Sequence, residues 1–280
     1  MKCFCLFVLL VLPVAHLFAE EDPDCTILGI QDLSQVYQDL LDAHAELQQT
    51  VDSLQFVIEN PPCGSNVAFG GRGYETVQIG DQCWFAENLR TTTYADGTAI
   101  PAGLTAGEWG STTSGATAVY GEDGGGGCDN FSPDIDACDE AQSLAEYGRL
   151  YNWYAVDDAR GLCPSGWHVP TDGECTVLET YITSQGFSGT EGTALKSTYG
   201  WSYSGNGTDD FEFSALPGGY RYYSVGYFDG AGPSGAWWSS SPSGGNAWLR
   251  FLYSFNPDVY RSNDGDPRNG FSVRCLRDAD

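Results

Sequence analysis

The sequence predicts an α+β head with little regular sheet, preceded by an α-helical coiled-coil stalk. Three observations lead there. Residues 30–59 contain no Gly and no Pro and carry an unbroken heptad pattern. From Cys63 onward the composition changes, since only Gly29 of the 36 Gly precedes residue 64 and all eight Trp follow residue 83. The third is an even set of cysteines spread through a chain that begins with an export-type segment.

That segment comes first in the chain. Lys2 precedes an almost unbroken apolar run from Phe4 to Val14, and Ala19 suits the last position before cleavage. So short a run reads as a signal peptide over residues 1–19, because a bilayer span needs roughly 20 apolar residues. The expected location is therefore secreted, extracellular or at the cell surface, with no membrane insertion. Removing residues 1–19 takes away Lys2, leaving 11 Lys and Arg against 38 Asp and Glu, a charge of −27. Such acidity excludes nucleic acid, which requires a basic footprint.

An acidic leader, residues 20–29, holds Cys25. In residues 30–59, Ile30, Tyr37, His44, Val51 and Ile58 fall at heptad position a, and Leu33, Leu40, Leu47 and Leu54 at d. This spacing predicts a coiled coil, about 43 Å long at about 1.5 Å per residue. Leu at every d position favours a parallel dimer, and Val36, Leu41 and Val57 beside the seam favour a trimer. Self-association is thus the first expected partnership. Cys25 and Cys63 flank the helix too far apart to join each other, so they are expected to form interchain disulfides. Pro61 and Pro62 end the helix, and residues 60–71 read as a linker.

The head shows short β-branched and aromatic runs at Thr76–Ile79, Trp248–Tyr253 and Phe271–Leu276. Two helices are expected: one over Ala137–Ala155, and one capped by Thr171 with Glu174 three residues on, the spacing of a capping box. The Gly-rich loop 121–127 lacks the Lys and Ser/Thr of a phosphate cradle. Asn130 and Asn206 each begin an N-x-S/T triplet, so both are glycosylation sites if the host is eukaryotic.

One ordered set of motifs runs through the head. It begins with Tyr74-Glu75-Thr76-Val77-Gln78-Ile79-Gly80 and Cys83-Trp84-Phe85-Ala86-Glu87-Asn88-Leu89, then Tyr147-Gly148-Arg149-Leu150-Tyr151-Asn152-Trp153. Cys163-Pro164-Ser165-Gly166-Trp167-His168-Val169-Pro170-Thr171-Asp172 and Asn206-Gly207-Thr208-Asp209-Asp210 follow. Phe213-Ser214-Ala215-Leu216-Pro217-Gly218-Gly219-Tyr220-Arg221, Trp237-Trp238-Ser239-Ser240 and Gly270-Phe271-Ser272-Val273-Arg274-Cys275 complete it. In order and spacing these resemble the Fibrobacter succinogenes major paralogous domain, over roughly residues 72–278. The resemblance implies a fold similar to the C-type lectin-like and sulfatase-modifying-factor group, displayed outside the cell.

An enzyme of the formylglycine-generating type would need two thiols a few residues apart. Five residues before Cys275 stands Gly270, so no catalytic residue is assigned and the head is read as a non-enzyme. The expected disulfides are Cys163–Cys275 and Cys128–Cys138, with Cys83–Cys175 as the remainder. No cofactor is required. Calcium is the one ion the loops could attract, through Asp258, Asn263, Asp264 and Asp266, because calcium takes six to eight oxygens. Aromatic rings interleaved with amides near the C-terminus point to ligand binding by Asn246, Trp248, Arg250, Tyr253, Asn256, Tyr260 and Asn263, since such surfaces suit sugar rings and protein hot spots. The sequence therefore describes a secreted, oligomeric binding or adhesion protein whose ligand is a glycan or an extracellular protein. A structural matrix or surface-coat component is the alternative.

Overall fold

The computed structural model describes residues 30–59, 61–122 and 127–279. The signal peptide, the acidic leader and the interchain role of Cys25 lie outside the described residues. The chain divides into two compact units, 1–56 and 57–280.

In the first unit, the Gly- and Pro-free stretch forms helix α1 (Ile30–Glu59). It stands as a single helix with Leu40, Leu47 and Leu54 exposed, not as the coiled-coil stalk expected from its heptads. Apolar spacing of this kind is enough to make an amphipathic helix, and helicity alone does not require a partner.

The second unit is built mainly from sheet, which corrects the expectation of little regular sheet in a lectin-like or sulfatase-modifying-factor-like head. After the hairpin β1 (Val67–Phe69) and β2 (Arg72–Tyr74) come β3 (Thr76–Ile79) and β4 (Gln82–Phe85), antiparallel neighbours. Next are α2 (Ala106–Ser111), β5 (Thr117–Ala118), α3 (Glu140–Glu146), β6 (Leu150–Tyr151) and α4 (Trp153–Val156). The single helix expected over Ala137–Ala155 is thus two short helices with a strand between them. Gly148 breaks it at φ +77°, lying so close to Leu89 that a Cβ there would sit 3.0 Å from the Leu89 carbonyl oxygen. Leu150 and Tyr151 then pair with Ala118 and Thr117.

Helix α5 (Asp172–Ile182) starts where the sequence placed it. The Thr171 hydroxyl accepts the Glu174 N–H and the Glu174 carboxylate accepts the Thr171 N–H at 2.7 Å, a complete capping box. After α6 (Glu191–Leu195) the chain enters the main sheet: β7 (Gly218–Arg221), β8 (Phe228–Ala231), β9 (Ser234–Ser243), β10 (Asn246–Tyr253) and β11 (Tyr260–Gly265). Its order is β11-β10-β9-β7-β8, and only the β7–β9 pairing is parallel. A two-residue turn, Gly244-Gly245, joins β9 to β10, with Gly244 at the φ of +62° such hairpins use. The chain closes with β12 (Leu276–Asp278), which pairs with β4. The expected run at Phe271–Leu276 is strand only from Leu276; Phe271 and Ser272 make isolated bridges to Tyr151 and Trp237.

Three disulfides staple this unit: Cys163–Cys275, Cys128–Cys138 and Cys63–Cys83. In the chain-entropy picture a closed loop of about 100 residues stabilises by about 4.7 kcal/mol, and Cys163–Cys275 spans 112 residues. The third bond corrects two expectations: Cys63 pairs within the chain, and Cys83 does not pair with Cys175. The Thr76 hydroxyl accepts the Gly64 N–H at 2.9 Å and donates to the Ser65 carbonyl at 2.7 Å, folding the segment after Cys63 back along β3 toward Cys83. Cys175 is left as a buried thiol in α5, its pKa pushed up to about 12 by burial. A thiol so far from ionisation is chemically inert at neutral pH.

Candidate functional site

Strand β10 alternates its side chains between two faces, as every strand does. Trp248, Arg250 and Leu252 point one way, toward α5. Leu249, Phe251 and Tyr253 point the other.

The α5 side is closed by charge pairing. The Arg250 guanidinium donates to the Asp172 carboxylate at 2.8 Å and also to the Glu179 carboxylate. Arg261 of β11 reaches the same Asp172 with two hydrogen bonds, 2.9 and 2.6 Å. Its guanidinium also lies over the Trp248 ring, 3.8 Å from the centroid. Hydrogen bonds from Arg261 hold the Asp172 carboxyl below its ordinary range, while burial raises that of Glu179. Arg250, itself buried, is thus held by the partly buried Asp172 and Glu179, and Trp248 lies under the more exposed Arg261.

The opposite face opens into a cleft of about 390 Å³ lined by Tyr220, Tyr222, Phe251, Tyr253, Phe255 and Phe271, with Asp229, Ser234 and Asn269 among them. That volume falls in the range of small-ligand sites. Phe251 and Tyr253 stack with centroids 5.4 Å apart and planes 14° apart; Tyr253 and Phe255 stack at 5.3 Å and 21°. Tyr220 meets Phe251 and Phe271 edge to face, at 6.5 and 6.3 Å. The Tyr220 hydroxyl donates to the Asp229 carboxylate at 2.8 Å, and burial first, then that carboxylate, push its ionisation well upward. Among the described residues lining the cleft, Asp229 is the one charged group.

Behind this wall lies Lys196, itself buried. Its ammonium donates to the carbonyls of Tyr253 and Asn256, both at 3.1 Å, and lies 5.3 Å from the Trp201 ring centroid. It ties the two ends of the loop that carries Phe255.

Of the residues expected to bind ligand, the structure brings Tyr253 and Tyr260 together, with ring centroids 6.4 Å apart. Asn256 caps the same loop, its amide oxygen accepting the Asp258 N–H at 2.9 Å. Asn246 lies at the β9–β10 turn and Asn263 is exposed on β11, so neither joins the cleft. Three of the residues expected to bind calcium have other surroundings. Asp258 lines a separate cleft with Glu179 and Glu191, Asp264 accepts from the Ser262 hydroxyl, and Asp266 pairs with Arg268 at 2.7 Å. Among the described residues, no three His, Cys, Asp or Glu side chains gather closely enough to hold a metal ion. Both N-x-S/T asparagines serve the fold: Asn130 donates to Asp136 at 2.9 Å, and Asn206 accepts the Trp201 N–H at 3.0 Å.

Sequence reasoning missed Phe251 and Phe255, although aromatic residues at 251 and 253 are a period-two signal along one strand face, and 255 continues the spacing into the turn that follows. It also missed Tyr220, Tyr222 and Phe131, which reach the cleft from distant parts of the chain.

Among the described residues no helix is long and apolar enough to cross a membrane. No curated protein and no solved structure matches the chain. The sequence profile of the Fibrobacter succinogenes major domain matches residues 77–277, a range that contains the whole main sheet, the cleft residues and the Cys163–Cys275 staple. The chain belongs to the Fibrobacter succinogenes major domain family.

Proposed function

We propose that this protein is a secreted binding or adhesion module, not an enzyme, and that it takes an uncharged glycan in the aromatic cleft between β10 and β7. The observation that carries this reading is the ladder Phe251-Tyr253-Phe255. Its rings face an open cleft of ligand size while Arg250 on the other side of the same strand is engaged by Asp172 and Glu179. Aromatic rings present large, stiff apolar area at low entropic cost, and the tyrosine hydroxyls, Asp229 and Asn269 supply the hydrogen bonds that orient a hydroxylated ligand. The absence of a cation from the described lining argues for neutral sugars over sialylated, uronic or sulfated ones, which would meet Asp229 unpaired. Secretion is supported by the three disulfides and by the apolar run at Phe4–Val14. Against a formylglycine-type reaction, Cys275 is bonded to Cys163 and Gly270 packs on Trp109 and Arg221, leaving no thiol pair.

A glycan array probed with the full mature chain, with and without calcium, tests the proposal. Neutral glycans should bind and acidic ones should not, with no change on adding a chelator. Binding confined to acidic glycans, or no binding to any glycan, would reject it, and the second result would turn attention to a matrix or coat role.

A further inference from the structure

We infer that the glycan site continues beyond the cleft onto an outer platform of Tyr203, Phe131 and Phe255, so that the ligand is a linear, uncharged oligosaccharide and not a single sugar. This rests on the reading of the cleft given above.

Exposure is the first observation. Phe255 is 77% exposed, Tyr203 73% and Phe131 46%. Phe131 and Phe255 already line the cleft, and Tyr203 is the large exposed residue whose chain neighbours touch both of their segments.

The second is how Tyr203 comes to be there. Among the described residues the chain has five non-glycine residues with positive φ, and all lie in one short segment: Tyr203, Ser204, Asp209, Glu212 and Ser214. Each costs free energy and persists only where the surroundings force it. Here they do. The Ser202 hydroxyl donates to the Phe131 carbonyl. Three residues on, Gly205 presses against Ser254, where a Cβ would sit 2.4 Å from the Ser254 carbonyl oxygen. Tyr203 thus rides on a short bridge between an anchor on Phe131 and an anchor on the residue before Phe255. Trp201 secures the base through its indole N–H to the Ala215 carbonyl at 3.0 Å, and the Gly207 N–H donates to the Ser197 carbonyl at 2.8 Å. A large ring held out to solvent by so constrained a backbone is placed, not merely left over.

Charge gives the third. Asp229 is the one charged group among the described residues lining the cleft. A polyanionic chain would meet that carboxylate with no cation in the described lining, whereas a neutral one meets rings and hydrogen-bonding groups.

The test is calorimetric titration of the full chain with the array's best neutral linear glycan, prepared as a length series from disaccharide to hexasaccharide. Wild-type affinity should climb with length. Tyr203→Ala should leave the disaccharide unchanged and weaken the hexasaccharide about tenfold, while Tyr203→Phe, which keeps the ring, should behave as wild type. Tyr253→Ala should lose about tenfold or more at every length. If Tyr203→Ala affects all lengths equally or none, while Tyr253→Ala still loses binding, the outer platform is wrong and the cleft stands. If Tyr253→Ala binds as wild type, both fall. Thermal unfolding of each variant identifies any that are misfolded; should Tyr203→Ala be one, the wild-type length series decides, and affinity that stays flat from disaccharide to hexasaccharide overturns the platform.

Discussion

The two faces of strand β10 are made from neighbouring residues of one short segment, yet they meet opposite fates. On the α5 side, Arg250 is satisfied by Asp172 and Glu179, Trp248 lies under Arg261, and Leu252 is in the core. On the other side, Phe251, Tyr253 and then Phe255 stack on one another and open onto a cleft. Both faces are rich in the residue types that bind ligands. What separates them is whether those groups already have partners inside the fold. A guanidinium and an indole that satisfy each other have little left to offer a ligand. Rings that stack face to face along an open cleft still have exposed area.

The paired face should therefore report on stability and the open face on binding. The largest expected effect is Arg250→Ala. It leaves Asp172 with only Arg261 and removes the guanidinium that the half-buried Glu179 pairs with, and breaking a buried pair from one side costs up to about 3–5 kcal/mol. Urea unfolding should show that loss, while glycan affinity in the folded protein stays within about twofold of wild type. A large drop in affinity without a drop in stability would place Arg250 in the site and break the comparison.

A smaller effect concerns acid. The Asp172 pKa is depressed by its hydrogen bonds from Arg261, so the stability it contributes is fully present above the ordinary value of 3.8 and is lost as pH falls through the depressed pKa. Glu179 runs the other way. Burial raises its pKa, so its contribution is present below the ordinary value of 4.5 and is lost as pH rises through the raised pKa. Asp172→Asn should accordingly unfold more readily at neutral pH and show a shallower decline than wild type below about pH 3.8. An unchanged acid slope in urea titrations at stepped pH would mean that Asp172 is not a significant partner of Arg250 and Arg261.

How much of this was legible beforehand follows from the range of the interactions. The capping box at Thr171 and Glu174 is set by four consecutive residues, and it was readable. So were Thr76–Ile79 and the body of β10, where β-branched and aromatic residues cluster. Strand β9 was not, because its Ser239-Ser240-Ser241-Pro242 stretch carries turn-forming residues. It is a strand because it sits in the middle of the sheet between β10 and β7. The Cys63–Cys83 bond was hidden for a similar reason. Position in sequence assigns Cys63 to the end of the helix, and only the return of the chain along β3 brings it to β4. Within the site, Tyr253 was found from local aromatic density. Arg250 and Trp248 were chosen by the same density, and nothing local shows that α5 and Arg261 cover them. Tyr220, Tyr222 and Phe131 reach the cleft through contacts between residues far apart in the chain, which no local pattern encodes.

The account turns on which face of β10 meets the ligand, and one paired measurement addresses that directly: titration of a neutral oligosaccharide into Tyr253→Ala and Trp248→Ala, two aromatic truncations five residues apart on opposite faces. Tyr253→Ala should weaken binding about tenfold or more, the scale of a buried aromatic anchor, and Trp248→Ala should bind within about twofold of wild type. The reverse result, with binding lost in Trp248→Ala and kept in Tyr253→Ala, would contradict it.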